Sequence, residues 1–270
     1  MSELAGADGL LRVVRETGST NDDVRALAAA GAPHGTAVAA RVQTAGRGRR
    51  GHVWRSPQGG LYLSVLLRPQ VPMQMFVGLP CLSALACVRV LRELMGRSDV
   101  AVKWPNDVVA GTGKLAGVLV EAGSGAEGPY AVVGVGVNVE RPVEPTPEAD
   151  EGACASVRPL PAAWLSDFAR LPLDFGALAE RLRAGIQGAC DEWAGQVAAG
   201  RAKAGPLAPF LSEYFDCCAL LGHQVVALTP QGRELCRGVF SAVDVWGRAT
   251  VHADGRDVEF SAEQVSLREA

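Results

Sequence analysis

A chain of 270 residues with 48% hydrophobic content can bury a large core and is expected to form one main domain plus a smaller one. Its formal charge of −3 argues against a protein that coats nucleic acid, which needs a basic surface over the whole domain. No basic-then-apolar leader opens the sequence and no apolar run reads as long enough to span a bilayer, so a soluble, reduced, cytoplasmic protein is expected.

Leu11 to Arg15 reads as a strand that ends at Gly18-Ser19-Thr20-Asn21-Asp22-Asp23, where Ser19 or Thr20 can cap a helix. Asp22 and Asp23 sit favourably in its first turn, and this alanine-rich helix should stop near Gly31. Thr36 to Val42 and Leu61 to Leu67 read as strands, and a long apolar helix covers about Phe76 to Leu94, with Pro80 marking a kink or a late start. Val100 to Lys103, a turn at Pro105-Asn106-Asp107, and strands around Val108, Leu115 to Glu121 and Pro129 to Val139 follow. Glu140 to Arg158 is rich in Pro and Glu, carries no period and reads as a loop with limited order. Helices are predicted at Phe175 to Ala199 and Leu207 to Phe215. From Gly222 onward the pattern becomes short β segments: Gln224 to Thr229, Glu234 to Val243, Ala249 to Val251 and Val258 to Phe260, with Asp254-Gly255 as a hairpin signal. A small all-β barrel is expected there. Seven cysteines (Cys81, Cys87, Cys154, Cys190, Cys217, Cys218, Cys236) form no C-x-x-C pair, the pattern of buried thiols rather than of a metal or disulfide framework.

The densest chemistry lies at Gly46-Arg47-Gly48-Arg49-Arg50-Gly51-His52-Val53-Trp54-Arg55, within residues 24 to 92, which hold nine arginines and no Asp or Glu. Backbone amides and guanidinium forks on a glycine-rich loop suit phosphate, and the indole offers a face for a purine. Gly46 to Gly51 matches G-x-G-x-x-G, but His52-Val53-Trp54-Arg55-Ser56-Pro57 is a poor helix start and no carboxylate appears before Glu93, so a dinucleotide fold is not read here. Gly111-Thr112-Gly113-Lys114 is not a Walker loop, because Leu115 stands where Ser or Thr would bind metal. Lys114-Leu115-Ala116-Gly117 echoes the adenylated lysine of nucleic-acid ligases, yet Ala116 lacks the expected carboxylate. Lys114 then reads as a charged donor to phosphate or carboxylate. Lys103-Trp104-Pro105-Asn106-Asp107 in isolation is a turn with a packed Trp and a solvated Lys, and Gly134-Val135-Gly136-Val137-Asn138 a strand needing close backbone approach.

These motifs, with Gly60-Leu61-Tyr62-Leu63-Ser64, occur in one order that closely resembles a biotin protein ligase, motif by motif over residues 10 to 140 and more loosely in the C-terminal barrel. The resemblance implies an α+β fold, a central mixed β-sheet with flanking helices of the class II aminoacyl-tRNA synthetase and biotin ligase kind, plus an SH3-like β-barrel. The expected division is 1–218 and 219–270. It further implies that biotin and ATP give biotinyl-5′-AMP and pyrophosphate, with Mg²⁺ shielding the departing pyrophosphate, and that a lysine of a biotin carboxyl carrier protein domain then attacks the mixed anhydride. Two anions must be joined, so cations are needed to offset repulsion. Arg47, Arg49 and Lys114 are expected in that role, with Lys103 and Asp107 completing the charge arrangement. Ser19, Thr20, Asn21, Gln43, Gly46, Arg47, Gly48, Arg49, Lys114 and Gly117 are expected to bind biotin; Arg49, Trp54, Asn106 and Asn138 to bind ATP. No metal ligand is assigned.

The Ser19-Thr20-Asn21 motif follows only eighteen residues, too few for a helix-turn-helix domain, so neither repressor activity nor nucleic-acid binding is expected. A monomer or weak homodimer is expected, and no membrane partner. Empty, the loop is expected to be mobile, and ligand to order residues 46 to 55. The rival readings are a lipoate or octanoyl ligase-transferase on the same scaffold, and an RNA-binding module without catalysis.

Overall fold

The computed structural model describes residues 3–5, 8–142, 160–169 and 173–270. Beyond Pro142, the Pro/Glu-rich segment read between Glu140 and Arg158 lies outside them, as does Cys154.

An eight-stranded mixed sheet is built from β1 (Glu3–Ala5), β2 (Leu11–Thr17), β3 (Ala37–Gln43), β4 (Gly60–Leu67), β5 (Val100–Lys103), β6 (Asp107–Ala110), β7 (Gly113–Gly125) and β8 (Gly128–Asn138). The spatial order is β1-β2-β3-β4-β8-β7-β6-β5, and only β2 and β3 run parallel. A parallel pair needs a crossover, and α1 (Thr20–Ala29) supplies it. Ser19 stands at the helix N-cap but makes no side-chain cap bond, which corrects the expectation that Ser19 or Thr20 caps it. Thr20 is instead committed to Gln43.

Strand alternation splits the sheet into two unlike faces. Leu61, Leu63 and Val65 of β4 with Val133, Val135 and Val137 of β8 look into the large core, which α2 (Leu79–Met95) and α3 (Phe175–Ala198) cover. On the opposite face Val24 and Ala28 of α1 pack on Val38, Leu66, Tyr130 and Val132. Farther along that face the positions become Ser64, Gly134, Gly136 and Gly117. Three glycines and a serine leave this stretch little side-chain bulk apart from Tyr62, which pairs with Gly136, and Leu119, which pairs with Gly134, and a cavity opens beside the first turn of α1.

Pro80 lies in the first turn of α2, where no intrahelical bond is lost, so the helix starts late; a 3-10 segment at Met73–Gly78 precedes it and Gly96 ends it in the left-handed region. By length and composition Met73–Met95 could cross a membrane, contrary to the sequence expectation, but 78% of its apolar window is buried as a core element. The predicted Leu207 to Phe215 helix is a 3-10 turn (Ala208–Phe210) followed by α4 (Leu211–Asp216).

The C-terminal segment forms a five-stranded antiparallel sheet, order β12-β11-β10-β9-β13, from β9 (Gln224–Leu228), β10 (Glu234–Val243), β11 (Ala249–Ala253), β12 (Arg256–Phe260) and β13 (Ser266–Glu269), consistent with an SH3-like domain. The Asp254-Gly255 turn has φ 51° and 73°, as a two-residue hairpin requires. The sheet is fastened to the first by the buried Trp104, whose Nε1 donates to Gly247 O (2.9 Å), and by Leu207 N to Val245 O (2.9 Å). Among the described residues all six cysteines are free thiols. Burial pushes Cys81 up to about 11 and Cys87 and Cys190 up to about 12, which leaves them inert.

Candidate functional site

Along the open stretch of sheet runs a cavity of about 730 Å³ with two chemically different ends. At the uncharged end, Ser19, Thr20 and Asn21 are buried at the start of α1. Gln43, at the end of β3, accepts at Oε1 from Thr20 N (2.9 Å) and Thr20 Oγ1 (3.0 Å), and donates through Nε2 to Ser56 Oγ (2.9 Å). Fully buried Ser64 lies 2.7 Å from Thr20 Oγ1 and 2.6 Å from Asn21 Oδ1, and Asn21 Nδ2 donates to Glu121 Oε2 (2.6 Å). A Cβ at Gly134 would collide with Asn21 Oδ1. This glycine therefore lets α1 approach the sheet. The result is a set of amide and hydroxyl groups in which Thr20, Asn21, Gln43 and Ser64 are each held by a neighbour.

The arginine loop arches over the middle. Trp54 N donates to Gly46 O (3.0 Å) and Gly48 N to His52 O (2.7 Å), and Arg47 pairs with Val53, so residues 46–54 form a small hairpin. At its tip Arg50 takes φ 57°, unfavourable for a side chain, and its guanidinium is held by Ala262 O and by Val265 O (2.6 Å). Arg49 donates to Asn106 Oδ1 (3.0 Å) and to Ala262 O. Arg47 is bidentate to Asp22, at 2.6 and 2.7 Å. The Trp54 indole rests on the sheet where Gly117 and Gly136 pair: a Cβ at Gly117 would stand 2.9 Å from its ring, and one at Gly136 would strike Nε1. The Trp54 indole Nε1–H is buried without a hydrogen-bond partner among the described residues.

Beyond Trp54 the cavity turns cationic. Lys114 Nζ lies 4.9 Å from the Trp54 ring centroid and 3.0 Å from Asp107 Oδ1, and Lys103 Nζ lies 4.0 Å from Asp107 Oδ2. Burial alone would push the Asp107 carboxyl up; Lys114, Lys103 and Arg49 together hold it below the usual carboxylate range. Asp107 is thus an anion that fixes two lysines in place. Three cations against one enclosed carboxylate leave a positive surplus suited to phosphate or carboxylate oxygens. Asn106 is buried, accepting from Arg49 and donating through Nδ2 to Val118 O.

Thirteen of the residues expected at a site line this one cavity: Ser19, Thr20, Asn21, Gln43, Arg47, Gly48, Arg49, Trp54, Lys103, Asn106, Asp107, Lys114 and Gly117. Gly46 and Asn138 do not line it. A Cβ on Gly46 would strike Trp54 O and Ser56 Oγ, so this glycine closes the hairpin; Asn138 Nδ2 donates to Lys114 O (3.0 Å) and so braces the Lys114 backbone. The sequence reading assigned no role to Ser64 or Glu121, which buttress the uncharged end, nor to His223, Thr229 and Arg268, cavity-lining residues of the C-terminal region. Ser64 had a signal in its strand parity with Gly134; the C-terminal residues had none, because only tertiary docking brings them here.

The fold and the two-ended cavity define a carboxylic-acid ligase class, and the family model described as "Biotin/lipoate A/B protein ligase family" matches residues 13–138. The biotin–[acetyl-CoA-carboxylase] ligase of Mycobacterium tuberculosis H37Rv is 33% identical over 261 residues, covering 94% of this chain and 88% of its own length. That of Paracoccus denitrificans is 31% identical over 254 residues, covering 93% and 98%. The chain belongs to the biotin protein ligase family. The Aquifex aeolicus biotin protein ligase, solved in complex with biotin and ATP, superposes with a TM-score of 0.74 at 25% identity, covering 96% of this chain and 99% of the other.

Proposed function

We propose that this chain activates biotin with ATP to biotinyl-5′-AMP and transfers the biotinyl group to a lysine of a biotin carboxyl carrier protein, as a cytoplasmic enzyme with its catalytic part in residues 1–218 and an accessory sheet in 219–270. The observation that carries the reading is one cavity holding an uncharged hydrogen-bonding end and a lysine-rich end on either side of Trp54. A ureido ring is neutral and needs paired donors and acceptors, which Thr20, Asn21 and Gln43 offer; a valerate carboxylate and an α-phosphate need cations.

In the first step a biotin carboxylate oxygen attacks the α-phosphorus, the bond to the β-phosphate oxygen breaks, and pyrophosphate leaves. Lys114 and Arg49 would face the charge gathering on the phosphate, with Lys114 fixed by Asp107 so that it need not reorganise. Trp54 offers the purine a face, and Asn106 its amide. In the second step the carrier amine attacks the anhydride carbonyl and AMP departs with the bonding electrons. Mg²⁺ would enter with ATP and would supply charge neutralisation of the departing pyrophosphate. Among the described residues no three His, Cys, Asp or Glu side chains cluster for a metal, and Asp107 is the carboxylate nearest the cationic end.

Pyrophosphate release with ATP, Mg²⁺ and either biotin or lipoate tests this reading. Release with biotin alone is expected. Release with lipoate alone moves the activity to the sister acid, which gains nothing from the Thr20, Asn21 and Gln43 set.

A further inference from the structure

The loop over the cavity is moored at two places by different chemistry. Arg49 and Arg50 reach backbone carbonyls of the C-terminal sheet region, whereas Arg47 reaches side-chain carboxylates beside the uncharged end. Asp22 receives both Arg47 nitrogens as a fork and also Arg25 (2.9 Å); Glu121 receives Arg25 (2.9 Å) and lies 3.6 Å from Arg47. Two cations and two carboxylates thus alternate in a cluster neutral within itself, so in this arrangement the Arg47 charge is offset before any anion arrives. Hydrogen bonding from Asp22 pushes the Arg47 guanidinium up, and the same bond lowers the Asp22 carboxyl.

Helix formation does not require this carboxylate. Asp23 occupies the same first turn, meets the same helix dipole, and accepts from Thr17 Oγ1 (2.7 Å) without touching Arg47. The cluster also shares an atom with the polar pocket, because Glu121 Oε2 holds both Arg25 and Asn21. Through the Arg47–Val53 pairing it stands one residue from Trp54, which covers the glycine bed.

We infer that Asp22, backed by Glu121, is the positioning residue that clamps Arg47 and with it the biotin-side edge of the loop, so that this ion pair sets how tightly biotin is retained. The inference rests on the biotin reading above. It assigns Arg47 a mooring role and leaves the anionic step to Lys114 and Arg49.

The test compares full-length wild type with Asp22→Asn, Asp22→Glu and Asp23→Asn. Tryptic cleavage after Arg47 in ligand-free protein reads the clamp by itself, and calorimetric titration with biotin alone reads retention. Asp22→Asn should speed cleavage several-fold and weaken biotin roughly two- to fivefold, the range of a part-exposed ion pair, with KM for ATP unchanged. Asp22→Glu should regain most of both, and Asp23→Asn should change neither. Equal effects of Asp22→Asn and Asp23→Asn would reveal a helix-start role and overturn the inference, as would unchanged biotin affinity in Asp22→Asn. A wild type that binds no biotin removes the functional reading itself, a result distinct from either.

Discussion

The two ends of the cavity are built on opposite principles. At the uncharged end, Ser64, Thr20, Asn21 and Gln43 are closely interlinked, so specificity there comes from fixed hydrogen-bond geometry. At the other end, Lys103 and Lys114 are part-exposed and share Asp107, while Arg49 pairs with Glu263 and acts on Asp107 from farther off, so binding there would rest on charge. Under the proposed function this is a division of labour: the first end would select a molecule and the second would lower the cost of bringing two anions together.

Removing the charge at the second end should have the largest effect. Lys114→Ala is expected to slow biotin-dependent pyrophosphate release by about 10²-fold or more with little change in Tm; near-normal release at saturating substrates would mean that the cations only steer. Breaking the first end should act on binding instead. Gln43→Leu strands Thr20 N and removes the donor that Ser56 Oγ accepts from, a cost of about 1–3 kcal/mol, so calorimetry should show biotin affinity reduced about tenfold or more while ATP affinity holds. Equal losses for both substrates would erase the distinction between the ends.

A smaller effect is expected where both depend on the same support. Trp104→Phe deletes the bond to Gly247 O and should lower stability by about 1 kcal/mol in denaturant melts, reaching activity through Lys103 and Asn106 on either side of it. The smallest effect concerns pH. Because Asp107 is held below the usual carboxylate value of about 3.9, its contribution to stability is complete above that pH and is lost as pH falls through the lower value of the folded state. The stability gap between wild type and Asp107→Asn should therefore be flat near neutrality and start to close only below about pH 4; a gap closing between pH 6 and 5 would contradict the assignment.

Most elements were legible because their signals are local. Strand runs such as Leu61 to Leu67 and the Asp254-Gly255 turn need no distant partner to be read. Strand Ser266–Glu269 is not read because so short a segment has little period, and the predicted helix start at about Phe76 takes in the end of the 3-10 segment because its residues are equally apolar. The arginine-rich, acid-free segment does contribute Arg47, Arg49, Arg50 and Trp54 to the cavity lining, but its charge is not all free. Within it Arg89 pairs with Glu213 and Arg47 with Asp22, so part of the apparent positive field is neutralised by carboxylates from outside the segment.

The sequence by itself determined most of the strands and helices in their chain order, the Gly134-Val135-Gly136 stretch as a strand needing close approach, and which side chains carry charge, since each follows from neighbouring residues. Only the tertiary structure decided that Asn138 braces the Lys114 backbone, that Asp22 spends its charge on Arg47, and that residues of the C-terminal region complete the cavity wall. Those outcomes depend on which side chains meet across 24 to more than 200 residues of chain, and short-range periodicity carries no record of such meetings.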